Sequence, residues 1–361
     1  MSDKTVKETA YAAFVVLVLL SASSIMPSKI SDQKEEKARQ TYEDMLKKYP
    51  VPDGAIELKL KWSFPKESEA EKGIFLNGPR CLAMDSKNCV YITDEREHRI
   101  AKFDYKGAFI KYLCRRGQGP GDLSVPLFLH IDKDDILIVG ETGNMRFQLL
   151  DAEGTYLSSI KMYKGFVSWT TGENEEIYTI PVNWPEGSNF IEVINREGDL
   201  IRGFGEPLKF KYSSTIYNMA EIARSKDGKL YIAFRYMDII RKYDGQGNLL
   251  NEFHPENKHY KENEKYNIEN QKRIQNKERA SFKEVFCSIK LLEDHYFVLH
   301  NYPRIEISEY DSNGKLISFL WAKKDYDCLI QSFEIRKIDN KIFFFILQNH
   351  PEPMIEVYSP I

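Results

Sequence analysis

The chain has 361 residues, 42% hydrophobic and 29% charged, a globular balance that excludes wholesale disorder. Its net charge of -3 provides no basic field for phosphates, so nucleic acid is excluded as a partner. Five cysteines, Cys81, Cys89, Cys114, Cys287 and Cys328, include no CxxC pair, which argues against a thiolate zinc site; they read as small buried hydrophobes.

Residues 10–26, AYAAFVVLVLLSASSIM, form a largely apolar run after a short start carrying Lys4 and Lys7. At about 1.5 Å per residue the run sits at the low edge of what spans a bilayer. Small residues at Ser21, Ala22 and Ser23 suit cleavage, so 1–26 is expected to be a signal peptide or a retained membrane anchor. Residues 27–54 are dense in Glu, Lys, Gln and Arg with sparse apolar positions. They read as a charged stalk containing a short helix, ended by Pro50, Pro52 and Gly54.

From Ala55 onward one unit recurs: a strand, a turn rich in Asp, Lys, Asn or Gly, an apolar strand, a polar loop and an alternating strand such as Arg99–Phe103. Most units then show an Asp-x-x-Gly turn and a further strand. The turn landmarks are Asp104, Asp151, Asn195, Asp244, Asp311 and, by position, Ser359, spaced by 47, 44, 49, 67 and 48 residues. Four short strands per 40–50 residues is the repeat of a propeller blade. The Asp residues are expected to bond backbone just ahead and the glycines to accept positive φ. The sixth unit ends one strand short, while Ile56–Phe64 is an alternating strand with no unit of its own. The expected fold is therefore all-β: a six-bladed β-propeller of four-stranded blades over 55–361, its ring closed by strand 56–64 joining the last blade.

The 67-residue spacing marks an insertion, residues 255–284, with eight Lys/Arg, six Asp/Glu and many Asn. It predicts a loop-helix over Asn263–Glu284 with a thin stripe of Ile268, Ile274 and Phe282, either solvated or docking a partner.

The pattern resembles the NHL-type six-bladed β-propellers, especially bacterial exported proteins of that fold. The carrying residues are Gly78-Pro79, Val90–Asp94, Arg99-Ile100, Phe103-Asp104, Gly107, and Gly117–Leu123 with Pro126. The resemblance covers most of 56–361 and specifies fold better than function.

Function is expected on the face carrying the second-to-third strand turns. Positions ten before the landmarks are Asp94, Glu141, Phe234, Asn301 and Asn349, with Arg96, Asn144, Arg235, Tyr236, His300 and His350 beside them. Asp94, Arg96, Glu141, Tyr236, Asn301 and His350 are the candidate contacts for a protein, peptide or carbohydrate ligand in a non-catalytic binding module. That reading needs no cofactor. The alternative is a metal-dependent lactonase or lyase, as the resemblance implies for some related propellers. Glu141, Asn301 and Asn349 offer oxygen atoms for Ca²⁺. A zinc site would need His130, His300 and His350 to converge, yet His130 lies in mid-strand, where a packed role fits better. No nucleophile elbow, HExxH or P-loop is present. The address read from these features is extracytoplasmic, secreted or periplasmic, with membrane contact through 10–26 if that segment is retained.

Overall fold

The computed structural model describes residues 32–172, 176–184, 187–255, 257–300, 303–324, 328–350 and 352–360, with the side chains of 32–34 and 350 outside that set. The apolar segment 10–26, Asn301 and the side chain of His350 therefore lie outside the described residues. Among the described residues, no helix is long and apolar enough to cross a membrane.

Helix α1 (Asp32–Lys48) leads into β1 (Ile56–Phe64) and one helical turn, α2 (Glu67–Ala70). An antiparallel meander follows: β2 (Pro79–Met84), β3 (Val90–Asp94), β4 (Arg99–Phe103) and β5 (Phe109–Leu113). A short parallel pair, β6 (Arg115–Arg116) and β7 (Asp122–Leu123), leads to the next sheet. That sheet holds β8 (Pro126–Ile131), β9 (Leu137–Glu141), β10 (Arg146–Leu150) and β11 (Tyr156–Lys161). The third holds β12 (Phe166–Thr171), β13 (Ile177–Pro181), β14 (Ile191–Ile194) and β15 (Leu200–Phe204). After the turn α3 (Ser214–Tyr217) comes the fourth, with β16 (Ala220–Arg224), β17 (Leu230–Phe234), β18 (Ile240–Tyr243) and β19 (Leu249–Phe253). Helix α4 (Lys258–Gln275) precedes β20 (Ser288–Leu292), β21 (His295–His300), β22 (Ile305–Tyr310) and β23 (Leu316–Ala322). The chain ends in β24 (Leu329–Ile338), β25 (Lys341–His350) and β26 (Met354–Pro360).

The protein is all-β in its body, a propeller-like arrangement of small sheets. The sequence predicts six separate four-stranded units. Among the described residues four sheets have four strands each, β6 and β7 form the two-stranded parallel pair, and the remaining strands form one eight-stranded sheet, β20-β21-β22-β23-β1-β26-β25-β24. The join is β1, which offers an edge on each side. It pairs antiparallel with β26 along most of its length, from Leu58 opposite Pro360 to Phe64 opposite Ile355. On its other edge Ile56 and Glu57 pair parallel with Leu320 and Trp321 of β23.

Burial follows strand position. Every residue of β3, β9, β13 and β17 is buried, because each second strand is covered by sheets on both faces. The outer strand β19 is exposed except at Phe253. The Asp-x-x-Gly turns are built as predicted. Oδ1 of Asp104 accepts from the amides of Lys106 (2.9 Å) and Ala108 (2.8 Å), and Asp244 does the same with Gln246 and Asn248. Gly107 and Gly247 sit at φ 93° and 96°. Their second service is tertiary: a Cβ on Gly247 would lie 2.4 Å from Phe204, and one on Gly107 2.7 Å from Phe64. Each turn thus receives the last apolar residue of a neighbouring outer strand, and Phe64 of β1 does for the first sheet what Phe204 does for the fourth. Lysines reinforce these seams: Lys102 lies over the Tyr91 ring and donates to the Ala152 carbonyl at 2.9 Å.

Two segments read as solvated in sequence are packed. The end of α1 and the loop after it dock on the propeller side, with Tyr42 and Tyr49 each 8% exposed. Tyr42 donates to the Lys324 carbonyl (2.6 Å), and Lys48 and Tyr49 both bond Glu262 of α4 at 2.5 Å. Two tyrosines in a polar stretch suffice, since each ring buries apolar area while its hydroxyl finds a partner. Helix α4 begins at Lys258 rather than Asn263 and buries His259, Tyr260, Asn263, Asn267 and Asn270, while Ile268 of the expected stripe is 43% exposed. The asparagines face backbone. Asn263 Nδ2 donates to the Glu284 carbonyl, Asn267 Nδ2 to those of Tyr236 and Lys283, and Asn270 Nδ2 to that of Ser281. Residues 281–284 have no strand neighbour there, so amide side chains supply the hydrogen bonds a sheet would have supplied.

Candidate binding site in the axial channel

The first strands of the sheets follow one another around a common axis: β2 touches β8 and β24, β16 touches β12 and β20, and β20 touches β24. Phe128 and Phe166 rings, 5.1 Å apart, link β8 to β12. Alternate side chains of these strands project toward the axis and are strongly polar.

Near the end that carries the second-to-third strand turns, Arg235 lies between two carboxylates, 3.0 Å from Glu221 and 3.2 Å from Glu284. Ser168 Oγ donates to Glu221 at 3.3 Å and the Cys287 thiol to Glu284 at 3.3 Å. Further along the axis Glu334 lies 3.3 Å from Lys290 and 3.0 Å from Arg336. Arg336 also donates to the carbonyl of Met84, at the opposite end of β2 (2.6 Å). These groups are enclosed yet partly accessible: Arg235, Glu221 and Lys290 keep 20%, 27% and 26% of their side-chain surface. One end of the channel carries two carboxylates around one cation, and the other two cations around one carboxylate.

The protonation preferences follow. Burial raises Glu221, against the pull of Arg235. Burial alone would raise Glu334, but Lys290 and Arg336 outweigh it and hold it below the usual carboxylate range. Burial pushes His130 down to about 4, helped by Lys290. Burial also raises the thiols of Cys81, Cys89 and Cys287, and takes Cys114 to about 12. All five cysteines are free thiols.

The residues singled out from sequence are placed as follows. Asp94 is fully buried and accepts from the amides of Gly78 (2.8 Å) and Asn77 (3.1 Å), so it caps the loop before its own sheet. Glu141 does the same one sheet on. One oxygen accepts from the Ser124 amide (2.6 Å) and Asn144 (2.9 Å), the other from Arg146 and Gln148. Its lone pairs are spent on protein donors, which leaves little capacity for a cation. Asn349 is half-buried at the end of β25. Arg96 is exposed and its side chain packs over Gly78. Tyr236 is covered by the inserted segment, its ring 5.7 Å from that of Phe282. His130 and His300 do not converge: His130 bonds Thr171 at 2.8 Å near the far end of the channel, whereas His300 lies under α4. The shared turn register brought these positions to one face, but it did not reveal that several side chains turn back into their own loops. The channel charges Glu221, Lys290, Glu334 and Arg336 were missed. The available signal was charge at inward positions of otherwise apolar first strands.

No protein-family model matches the sequence, and no curated protein matches it at the level of sequence. In structure it is similar to a Bacteroides fragilis protein described as exported, at 12% identity and TM-score 0.58, over 87% of this chain and 97% of that one. It is also similar to a member of the DUF4221 family from Bacteroides vulgatus (10% identity, TM-score 0.54, 86% and 98% covered). A third likeness is to virginiamycin B lyase from Staphylococcus aureus (13% identity, TM-score 0.51, 84% and 100% covered). At such identities these likenesses establish the fold alone.

Proposed function

We propose that the protein is an extracytoplasmic six-bladed β-propeller of the NHL type that binds a polar ligand in its axial channel, without catalysis. In this reading the eight-stranded sheet is two blades joined by the two parallel pairs of β1, and β1 closes the ring. Phe64 seated on Gly107 supports that closure, because it repeats the contact of Phe204 with Gly247. Residues 55–361 are then the propeller, 27–54 its docked lead-in, and 1–26 an export signal or anchor. The apolar run followed by small residues supports export, and the fold shared with the B. fragilis protein fits that address.

The observation that carries the binding reading is the separation of charge along the channel. Glu221 and Glu284 outnumber Arg235 at one end, and Lys290 and Arg336 outnumber Glu334 beyond it. A short peptide-like ligand, with an ammonium and a carboxylate, matches that order better than a neutral sugar. Thermal unfolding of the full chain with a panel of short peptides and neutral oligosaccharides tests it. A peptide at a hundred times its Kd stabilises by about 2.7 kcal/mol. The shift should shrink in Glu221→Gln, which removes a carboxylate from the ammonium end, and in Lys290→Met, which removes a cation from the carboxylate end. No shift with any peptide, or a shift that both variants retain, overturns the proposal.

A further inference from the structure

Away from the channel, two histidines and a carboxylate meet beneath the inserted helix. His259 comes from the first turn of α4, His300 from the end of β21 and Glu306 from β22. One ligand atom of each lies within 4.8 Å of the others, and the residues are only 2%, 0% and 3% exposed. We propose that this triad is a site for a divalent transition-metal ion of the Zn²⁺ class, pinning the insertion to the propeller.

The donor set is a zinc set: two imidazole nitrogens and one carboxylate oxygen, with a fourth position for water or an incoming group. The geometry is nearly prepared. Nδ1 of His259 lies 3.1 Å from Nε2 of His300. Two nitrogens bound at about 2.0–2.1 Å to a tetrahedral ion stand about 3.3 Å apart, so a small retreat of α4 admits the ion. The surroundings orient the ligands. His300 Nδ1 donates to the Val285 carbonyl, which holds its proton on that nitrogen and turns Nε2 toward His259. Arg304 donates to one oxygen of Glu306 at 2.9 Å and fixes the carboxylate plane. The ring of Tyr49 stacks on His259 with centroids 4.1 Å apart.

Charge and access decide whether an ion is tolerated. Lys48, Lys283 and Arg304 are the cations acting on His259. Lys48 is answered by Glu262 at 2.5 Å, whereas Arg304 bonds Glu306 itself at 2.9 Å, so that carboxylate's charge is shared between Arg304 and the ion. A cleft of about 650 Å³ opens beside the triad, lined by Lys48, Tyr49, His259, Glu306, Ser308 and Tyr310 among others. Two of the three ligands, His259 and Glu306, line that cleft. On uptake His259 moves its proton from Nδ1 to Nε2, and the Asn263 amide, 3.3 Å away, gives up its bond to the Glu284 carbonyl as it turns to accept that proton. No imidazole proton is released in that exchange.

The test is titration of the full chain with Co²⁺ and Zn²⁺. Bound Co²⁺ should give the visible bands of a four-coordinate nitrogen and oxygen site, without the near-ultraviolet band of thiolate ligation that the free cysteines would produce. Zn²⁺ should displace it and raise the melting temperature. His259→Ala should weaken binding at least about 100-fold, and so should Glu306→Gln, which keeps the side-chain shape if the first variant is poorly folded. No Co²⁺ spectrum, a thiolate spectrum, or binding unchanged in both variants would show that the histidines are only a buried hydrogen-bonded pair.

Discussion

Replacing Asn267 by alanine isolates the device that holds the insertion. Its side chain is fully buried, and Nδ2 donates to the carbonyls of Tyr236 (2.8 Å) and Lys283 (2.7 Å) while Oδ1 accepts from the Lys283 amide (2.8 Å). At about 1 kcal/mol net per hydrogen bond, the three together are worth about 3 kcal/mol. Backbone groups left dry add to that loss, and the better helix propensity of alanine returns about 0.6 kcal/mol. The expected cost is therefore about 3 kcal/mol, a roughly hundredfold rise in the population with 281–285 detached. Native-state amide exchange reads it directly. The Val285 amide, which donates to the Arg235 carbonyl at 2.7 Å, should lose about two decades of protection, while amides of β3 and β9 keep theirs. Ile268→Ala, at a position 43% exposed, should cost less than about 0.5 kcal/mol. If Asn267→Ala lies within 1 kcal/mol of the parent, or Ile268→Ala costs as much, the insertion is held by an apolar stripe and the argument fails.

Four further outcomes are expected. Glu141→Ala takes the carboxylate from Arg146, whose side chain is only 15% exposed and keeps the carbonyls of Gln118, Gly119 and Asp122, and should cost about 3 kcal/mol by chemical denaturation; a cost below 1 kcal/mol would return Glu141 to the pool of ligand-binding groups. His130 has a folded pKa of about 4, below its ordinary 6.5, so the unfolded chain binds the extra proton more readily. Its contribution is complete above about pH 6.5 and is lost as pH falls toward 4. Allowing for partial solvent screening it is about 1–2 kcal/mol, seen as a shallower pH dependence of stability in His130→Gln. Removing residues 1–64 takes away β1 and bares the edge of β26, and size-exclusion chromatography should show association where a chain starting at residue 55 stays dispersed. The Cys287 thiol, buried and held protonated, should react with a thiol reagent only after denaturant is added, whereas the half-buried Cys81 and Cys114, also held protonated, should react slowly in the folded protein.

Much of the architecture could be read from the chain because it rests on local chemistry. An Asp whose carboxylate bonds the amides two and four residues ahead, followed by a glycine at positive φ, makes a turn wherever it occurs, and Asp104, Asp151, Asp244 and Asp311 all do so. The unpaired strand at residues 56–64 was recognisable as an alternating segment without a unit, and its partner β26 as a unit without a strand. The candidate site was legible only as a face. Asp94 and Glu141 share a position in the repeat, but whether a carboxylate there meets a ligand or its own loop depends on donors brought by Asn77, Gly78, Ser124 and Asn144.

The sequence by itself determined the turns, the strand alternation, the repeat length and the place of the insertion, since each depends on residues within a few positions of one another. Only the tertiary structure decided what the polar residues do. The asparagines of α4 found unpaired backbone at 281–284. Tyr42 and Tyr49 docked a helix that composition alone marks as solvated. Glu221, Lys290 and Glu334 entered a channel shared by sheets far apart in the chain. His259 met His300 and Glu306, which lie 41 and 47 positions further along the chain. Hydrogen bonds and ion pairs between such distant residues leave no periodic trace in sequence, because the register that brings them together is set by packing of the sheets around the axis.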